Sequence, residues 1–327
     1  MADDPVSALT ATTATRKMVA AEECDRSTAS TSTTAAGVVR LPPAKHCGRI
    51  PERGGLPLPA PAMTSSSASR SLEIPLAATV GTRATNRTDD VRVIQKRLAE
   101  LGFPVKADGV FRPEVSRYLK IFASMCAGRE QWTDLADKVA ANNDLGRALF
   151  HKDAPRWVEV APGGPGWVSI DRDGYNWGAA KTLEVVDKAG QRYQKYLDKQ
   201  ASGSGVRIMV NDISRKQGTV LAKGKGIPEH QTHRNGLDID LRLPKKGGDA
   251  VQQIGTHVGW ADYDRDTMFV MIEAFASQPE VERILFNDPK LLERAKRESK
   301  PWADKLVLDN EHIHHAHVDI VPPRLER

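Results

Sequence analysis

The stretch EHQTHRNGLDIDLRLP, residues 229–244, indicates how the C-terminal half of this chain folds. After a turn predicted at Asn235-Gly236, apolar and polar residues alternate, which is the period of a β-strand. One face of this strand carries Leu237, Ile239, Leu241 and Leu243. The other face carries Asp238, Asp240 and Arg242. Two carboxylates on an inward strand face are costly to bury, so the pattern predicts a compensating cation.

Histidines occur beside this strand and again near the C-terminus. His230 and His233 come just before the turn, which folds His233 back toward the carboxylate face. In EHIHHAHVDI, residues 311–320, strand parity places His315, His317 and Asp319 on one face. If the two strands are neighbours, His233, one Asp and His317 form a set of two nitrogens and one oxygen. That set suits Zn²⁺ and leaves a fourth position for water, as in catalytic zinc sites.

The remainder of the C-terminal region mixes helices with short strands. The spacing predicts a long helix over residues 174–197, a strand over 205–214 and another helix over 266–277. Residues 280–288 fit either a short helix or a strand, and residues 314–323 predict the final strand. Because no regular βαβ alternation is present, the pattern favours an α+β fold with an antiparallel sheet.

The N-terminal half has a different composition. Residues 1–85 are rich in Ala, Thr, Ser and Pro, which predicts a disordered tail. From residue 88, apolar residues recur at helical spacing, and Pro113 begins a second helical pattern. The sequence thus predicts three parts, namely the tail, a small three-helix domain over residues 86–150 and an α+β domain over 155–327.

Bulk properties restrict the classes of function. With 40% hydrophobic and 27% charged residues, the chain reads as an ordinary soluble globular protein. Its net charge of +5 suits an anionic partner. The sequence contains no dense Lys/Arg block interleaved with aromatics, so nucleic acid is not the predicted partner. No apolar run approaches the roughly 20 residues of a membrane span, and the N-terminus shows no recognisable signal peptide. The three cysteines are too scattered to form a metal site, and the oligomeric state is not predicted.

Residues 90–122 resemble the peptidoglycan-binding domain that accompanies many bacterial wall hydrolases. The resemblance rests on Gln95, the step Leu101-Gly102-Phe103, Asp108-Gly109 and Phe122. Arg112 and Ala123 depart from the family pattern, which usually has Gly and then Gln there. The resemblance implies peptidoglycan as partner.

The paired histidine motifs resemble those of the LAS-type metallopeptidases, and most closely the penicillin-insensitive murein endopeptidases. HQTHRNGLDID at residues 230–240 and HIHHAH at 312–317 carry this resemblance. It implies a zinc endopeptidase that cuts D-Ala–diaminopimelate cross-links of peptidoglycan, located in the periplasm, the cell envelope or outside the cell. The implied zinc ligands are His233, Asp240 and His317. His315 would act as base or polarise the oxyanion, His312 and His230 would support the site, and Asp238 would orient His233, hold substrate or be purely structural.

Two alternatives stay open from the sequence. The D,D-carboxypeptidase branch of the same superfamily uses Glu-x-x-His, a spacing that Glu311 and His314 satisfy. Strand parity argues against that set, because His314 would face away from His315 and His317. The second alternative is a non-catalytic, zinc-containing wall-binding protein with the same fold.

Overall fold

The computed structural model describes residues 74–128, 136–170, 174–200, 205–218, 222–223, 227–228, 233–247 and 256–325. The helices of these residues are α1 (Thr88–Glu100), α2 (Pro113–Ala127), α3 (Asp144–Phe150), α4 (Ala180–Leu197), α5 (Arg265–Ala276) and α6 (Pro289–Arg297), with a 3-10 turn at Ala303–Lys305. The strands are β1 (Trp157–Glu159), β2 (Gly163–Gly164), β3 (Trp167–Ser169), β4 (Trp177–Ala179), β5 (Ile208–Val210), β6 (Ala222–Lys223), β7 (Ile227–Pro228), β8 (Asp238–Arg242), β9 (Val281–Leu285), β10 (Leu306–Val307) and β11 (His315–Ile320). Within this part of the chain, no helix combines the length and apolar character needed to cross a membrane.

A seven-stranded sheet with the order β10-β9-β11-β8-β5-β3-β2 forms the centre of the α+β fold. The α+β class is confirmed, and the middle strands β9, β11, β8 and β5 are antiparallel, as predicted. The sheet is nevertheless mixed, because β3 pairs with β5 and β9 with β10 in parallel. Each parallel pair is joined through a helix, α4 or α6, which gives the chain the length to return in the same direction.

The last strand lies directly beside the strand that carries the two carboxylates. In the antiparallel pair of β11 and β8, His317 stands opposite Asp240, and Asp319 stands opposite Asp238. The alternate residues Ile239 and Val318 are fully buried. Helices α4 and α5 pack against each other, and α5 packs against β9. Sheet and helices therefore bury the apolar strand positions and bring the polar positions of two strands together.

Two of the segments predicted around this sheet fold as expected, since residues 205–214 supply β5 and residues 266–277 supply α5. The helix predicted over residues 174–197 begins only at Ala180, because residues 177–179 form strand β4, which pairs with β1. Residues 280–288, which fitted helix or strand, supply the strand β9 beside β11. Val281 and Ile284 of β9 are both buried despite their odd spacing, because the pairing with β11 shifts register between Asp319 and Ile320.

The predicted end of the tail at residue 85 is too late. Val80 is fully buried and forms a backbone bridge with Val139. The Asp90 carboxylate, in the first turn of α1, accepts hydrogen bonds from the backbone N–H groups of Ala77 and Ala78. The ordered chain therefore begins before residue 85, while the rest of the predicted tail, residues 1–73, lies outside the described residues.

The residues that carry the resemblance to a wall-binding domain make internal hydrogen bonds. The side chain of Gln95 is fully buried and donates to the Asp108 carboxylate and the Val110 carbonyl, while its own carbonyl accepts from the Gly109 N–H. Gly109 has φ +80°, a conformation that favours glycine. These residues hold the loop between α1 and α2, so they account for its shape without a ligand.

The helical segment and the sheet segment share one hydrophobic core. The rings of Phe103 and Trp157 stack with centroids 5.7 Å apart, and the Trp157 N–H donates to the Leu101 carbonyl at 2.7 Å. All described residues fall within one compact unit, residues 67–327. The segment predicted as a separate domain is thus packed against the first strand of the α+β part.

Candidate metal centre

A tight turn between His233 and Gly236 delivers the first histidine to the sheet. Gly236 has φ +68°, and a Cβ there would lie 2.5 Å from the Cα of Gly178. Its carbonyl accepts hydrogen bonds from the Ala179 N–H and from the buried Thr182 hydroxyl. His233 itself has φ +69°, which for a residue with a Cβ costs on the order of 1 kcal/mol or more. Such a conformation persists only where surrounding contacts impose it.

The imidazole of His233 is fixed by its backbone-facing nitrogen. Its Nδ1 lies 3.0 Å from the Ile213 carbonyl oxygen, which can only accept, so this nitrogen carries the proton. The other nitrogen, Nε2, lies 3.2 Å from Asp240 Oδ1, and the ring is buried. A second contact that fixes tautomer and ring orientation is usual for histidines that bind metals.

His317 shows the same division of roles between its two nitrogens. Nδ1 lies 3.0 Å from Asp240 Oδ1, and Nε2 lies 2.9 Å from Asp319 Oδ1. The other oxygen of Asp319 accepts a hydrogen bond from the Arg283 guanidinium. Because Asp319 orients Nε2 as a donor, the proton that Nδ1 shares with Asp240 is the one that a bound cation would replace, which would turn Nδ1 into a ligand.

The donor atoms of His233, Asp240 and His317 lie within 4.8 Å of one another, and all three residues are buried. Burial raises the pKa of Asp240, but the charge of His233 and the hydrogen bonds from both imidazoles outweigh it and hold this pKa well below its usual range. Burial lowers the pKa of His317, but hydrogen bonds to its three neighbouring carboxylates outweigh it and raise this pKa to about 12. The pocket therefore favours positive charge, which a divalent cation would supply in place of the imidazole protons. The residues present fit such an ion.

A second group with metal-ligand chemistry shares His317. Asp238, His317 and Asp319 also bring their donor atoms within 4.8 Å. Asp238 Oδ1 lies 3.5 Å from His317 Nε2, so Asp238 sits beside His317. Arg283 already supplies the positive charge that faces Asp319. The first group is therefore the better cation site, and the second provides the carboxylates that surround one of its imidazoles.

Two further histidines lie beside this group. His315 Nε2 lies 3.7 Å from Asp240 Oδ1, and burial lowers the pKa of His315 to about 4. This imidazole is thus neutral near pH 7 and able to accept a proton. The ring of His312 lies 4.8 Å from that of His315, and its Nδ1 lies 2.8 Å from Asp309 Oδ1. The structure thus places both predicted catalytic histidines next to the candidate ligands.

The residues of the rival Glu-x-x-His set come before strand β11, with the His314 ring 4.9 Å from the His315 ring. Strand β11 begins at His315, so His314 precedes the strand, and both Glu311 and His314 are exposed. His230, expected to support the site, lies outside the described residues.

Three contacts of the site were not predicted from the sequence. Strand parity placed Asp319 on the His317 face, and that was the available signal, but no role followed from it. Asp309 lies three residues before His312, a spacing that signals a local contact in a turn. The Ile213 carbonyl has no sequence signal, since any residue would present one.

Comparison with known proteins bears on the α+β segment. A family model described as penicillin-insensitive murein endopeptidase matches residues 157–326, from β1 to the end of the sheet. No curated protein gives a match. The matched range includes all the histidines and aspartates of the candidate metal centre and none of the helical segment. The chain belongs to the family of penicillin-insensitive murein endopeptidases, enzymes that hydrolyse peptidoglycan.

Proposed function

We propose that this protein is a zinc-dependent endopeptidase that cuts peptide cross-links of peptidoglycan, of the D-Ala–diaminopimelate type. The observation that carries the proposal is the convergence of His233 Nε2, Asp240 Oδ1 and His317 Nδ1, with the opposite nitrogen of each imidazole held by a carbonyl or a carboxylate. Two nitrogens and one oxygen are a donor set that catalytic zinc sites use, with water or substrate as the fourth ligand.

Bound zinc would supply an activated water near neutral pH and polarise the scissile carbonyl. The chain's own residues supply proton handling. His315, neutral near pH 7, accepts a proton at a ring nitrogen and returns it to the leaving amine, as a general base and then acid. His312, oriented by Asp309, lies beside His315 and holds it in place or stabilises its charged form. Asp240 remains ionised throughout because its pKa lies well below neutrality.

An endopeptidase is favoured over a D,D-carboxypeptidase of the Glu-x-x-His type. That arrangement would need Glu311 and His314 beside the ion, and both are exposed and precede β11. A non-catalytic wall-binding protein with the same fold would not need His315 next to Asp240, a position where burial disfavours the charged form of the His315 imidazole.

Digestion of purified sacculi tests the proposed reaction. Zinc-loaded protein should convert cross-linked muropeptides to uncross-linked ones without releasing terminal D-Ala, and a chelator should stop the conversion until zinc is added back. The H315A variant should retain zinc and lose most of the activity, because general acid–base catalysis contributes about 10²–10⁴-fold. No loss of cross-links with zinc-loaded wild type would refute the reaction, and release of D-Ala alone would identify a carboxypeptidase.

Ligand identity has its own test. The H317A variant should lose bound zinc, because it removes a donor from a buried three-donor set. The H314A variant is the matched control, since His314 is exposed and neighbours the same strand. Zinc content measured by elemental analysis should fall for H317A alone, and the reverse pattern would assign the site to the carboxypeptidase arrangement.

We also propose that residues 86–150 contact peptidoglycan and that the protein works in the periplasm, the cell envelope or outside the cell, where that polymer lies. The resemblance of the helical segment to wall-binding domains supports the first part. Because the motif residues hydrogen-bond to one another, exposed side chains such as Val110 would make the contacts with peptidoglycan. Co-sedimentation of the inactive H315A protein with sacculi tests this, and an unchanged soluble fraction would contradict it.

A further inference from the structure

We infer that helix α2 of the helical segment forms part of the metal centre, and that Ser124 and Asn235 are positioning residues that hold His233 in its ligand conformation. The inference rests on the proposed zinc site and extends it to a segment outside the range that the family model matches. On this view the helical segment serves the reaction directly, beside any contact that it makes with the wall.

The first observation is the backbone of His233. Its φ of +69° lies in the left-handed region that residues with a Cβ rarely adopt. Its Nδ1 reaches the Ile213 carbonyl and its Nε2 reaches Asp240 from this conformation. A turn that relaxed to an ordinary φ would carry the imidazole away from both partners, so the surrounding contacts must impose the conformation.

The side chain of Asn235 provides one such contact. Asn235 is buried, and its Oδ1 accepts from the Leu237 N–H at 3.0 Å, which closes the turn. Its Nδ2 donates to Ser124 Oγ at 3.1 Å. Ser124 lies in α2, 111 residues earlier in the chain, and is fully buried. This hydrogen bond therefore joins the helical segment to the residue two positions after His233.

Close packing provides a second contact from the same helix. A Cβ on Gly218 would lie 2.2 Å from Ile121 Cδ1 and 3.0 Å from the Arg234 carbonyl oxygen. Ile121 of α2 is thus pressed against the chain that surrounds the turn, one helical turn from Ser124. Because Ile121, Gly218 and Arg234 are packed this closely, a shift of α2 would displace Arg234, the residue next to His233.

The loop after α1 supports the turn from its other side. Phe103 stacks on Trp157 with the ring planes 6° apart. The Trp157 ring in turn lies where a Cβ on Gly236 would approach to 2.8 Å, and its Nε1 donates to the Lys216 carbonyl. The helical segment therefore reaches the His233 turn by two independent routes, at Asn235 and at Gly236.

The test compares two variants of the full chain that remove one hydroxyl each from α2. S124A removes the partner of the Asn235 amide. S116A is the matched control, because Ser116 lies on the same helix but donates to Asp137, away from the turn. Two quantities are measured, namely the zinc dissociation constant by chelator competition and the amide hydrogen exchange of residues 233–237 in metal-free protein. S124T, which keeps the hydroxyl, serves as the rescue variant.

We expect S124A to weaken zinc binding by about tenfold, the effect typical of losing a contact that orients a ligand. It should also speed exchange of residues 233–237, while S116A changes neither and S124T restores both toward wild type. Equal effects of S124A and S116A, or faster exchange in S124A with unchanged zinc binding, would overturn the inference. If wild type binds no zinc, the proposed function fails. In that event, exchange in the metal-free protein still tests the positioning, and equal exchange in S124A and S116A would overturn it.

Discussion

Replacing Asp319 with alanine should weaken zinc binding while leaving all three proposed ligands in place. Asp319 Oδ1 accepts the hydrogen bond from His317 Nε2 at 2.9 Å, and this bond directs Nδ1 toward the ion. A hydrogen bond to a charged group contributes about 1.5–3 kcal/mol, which corresponds to about 10–100-fold in a binding constant at about 1.4 kcal/mol per tenfold. Asp238 Oδ1, 3.5 Å from the same Nε2, takes over part of the contact in the variant. The expected loss is therefore about tenfold, at the lower end of that range.

The D319A measurement is chelator competition on the full chain, with thermal unfolding of the metal-free protein alongside it. Arg283, which loses its partner in D319A, has a side chain 54% exposed, so water replaces the carboxylate and stability changes little. D309A is the matched control, because Asp309 contacts the Nδ1 of His312, which is not a proposed ligand. D309A should bind zinc like wild type. Equal zinc affinity in D319A and wild type would refute the role given to Asp319.

Two further predictions concern the fold that holds the site. G236A should destabilise the protein by more than about 2 kcal/mol, because its Cβ would meet the backbone of Gly178 at 2.5 Å in a strained conformation. Denaturant unfolding measures this free energy, and an unchanged unfolding midpoint would contradict the prediction. The hydrogen bond from Lys188 lowers the pKa of Glu280 to about 2 from 4.5, so Glu280 contributes stability above pH 4.5 that is lost as pH falls toward 2. E280Q should thus be less stable than wild type by on the order of 1 kcal/mol at pH 7, with the difference vanishing near pH 2, and a difference independent of pH would refute this assignment.

The strands and the candidate site followed from local sequence patterns. Alternation fixed which face of β8 carries Asp240 and which face of β11 carries His317, since a strand has only two faces. The polar face of β8 and the polar face of β11 each carry groups that are costly to bury alone, which favours placing the two strands side by side. In the structure they are neighbours, and the register pairs Asp240 with His317. Residue type and spacing therefore predicted His233, one Asp and His317 as donors, and the resemblance to the murein endopeptidases implied Asp240 as that Asp.

Features that depend on distant parts of the chain could not be predicted in this way. The positive φ of His233 is imposed by contacts with α2 and β1, more than 70 residues earlier, and histidine itself has no preference for it. The parallel pairing of β3 with β5 depends on how α4 packs, and a three-residue strand carries no signal of direction. The sequence predicted a boundary near residue 150, whereas Phe103 and Trp157 join the two sides in one core.

The position of the ion in a zinc-loaded crystal tests the central claim most directly. Anomalous scattering at the zinc edge should give one peak at about 2.0–2.2 Å from His233 Nε2, Asp240 Oδ1 and His317 Nδ1. A peak instead at His317 Nε2, between Asp238 and Asp319, would place the ion in the neighbouring group and contradict the proposed ligand set.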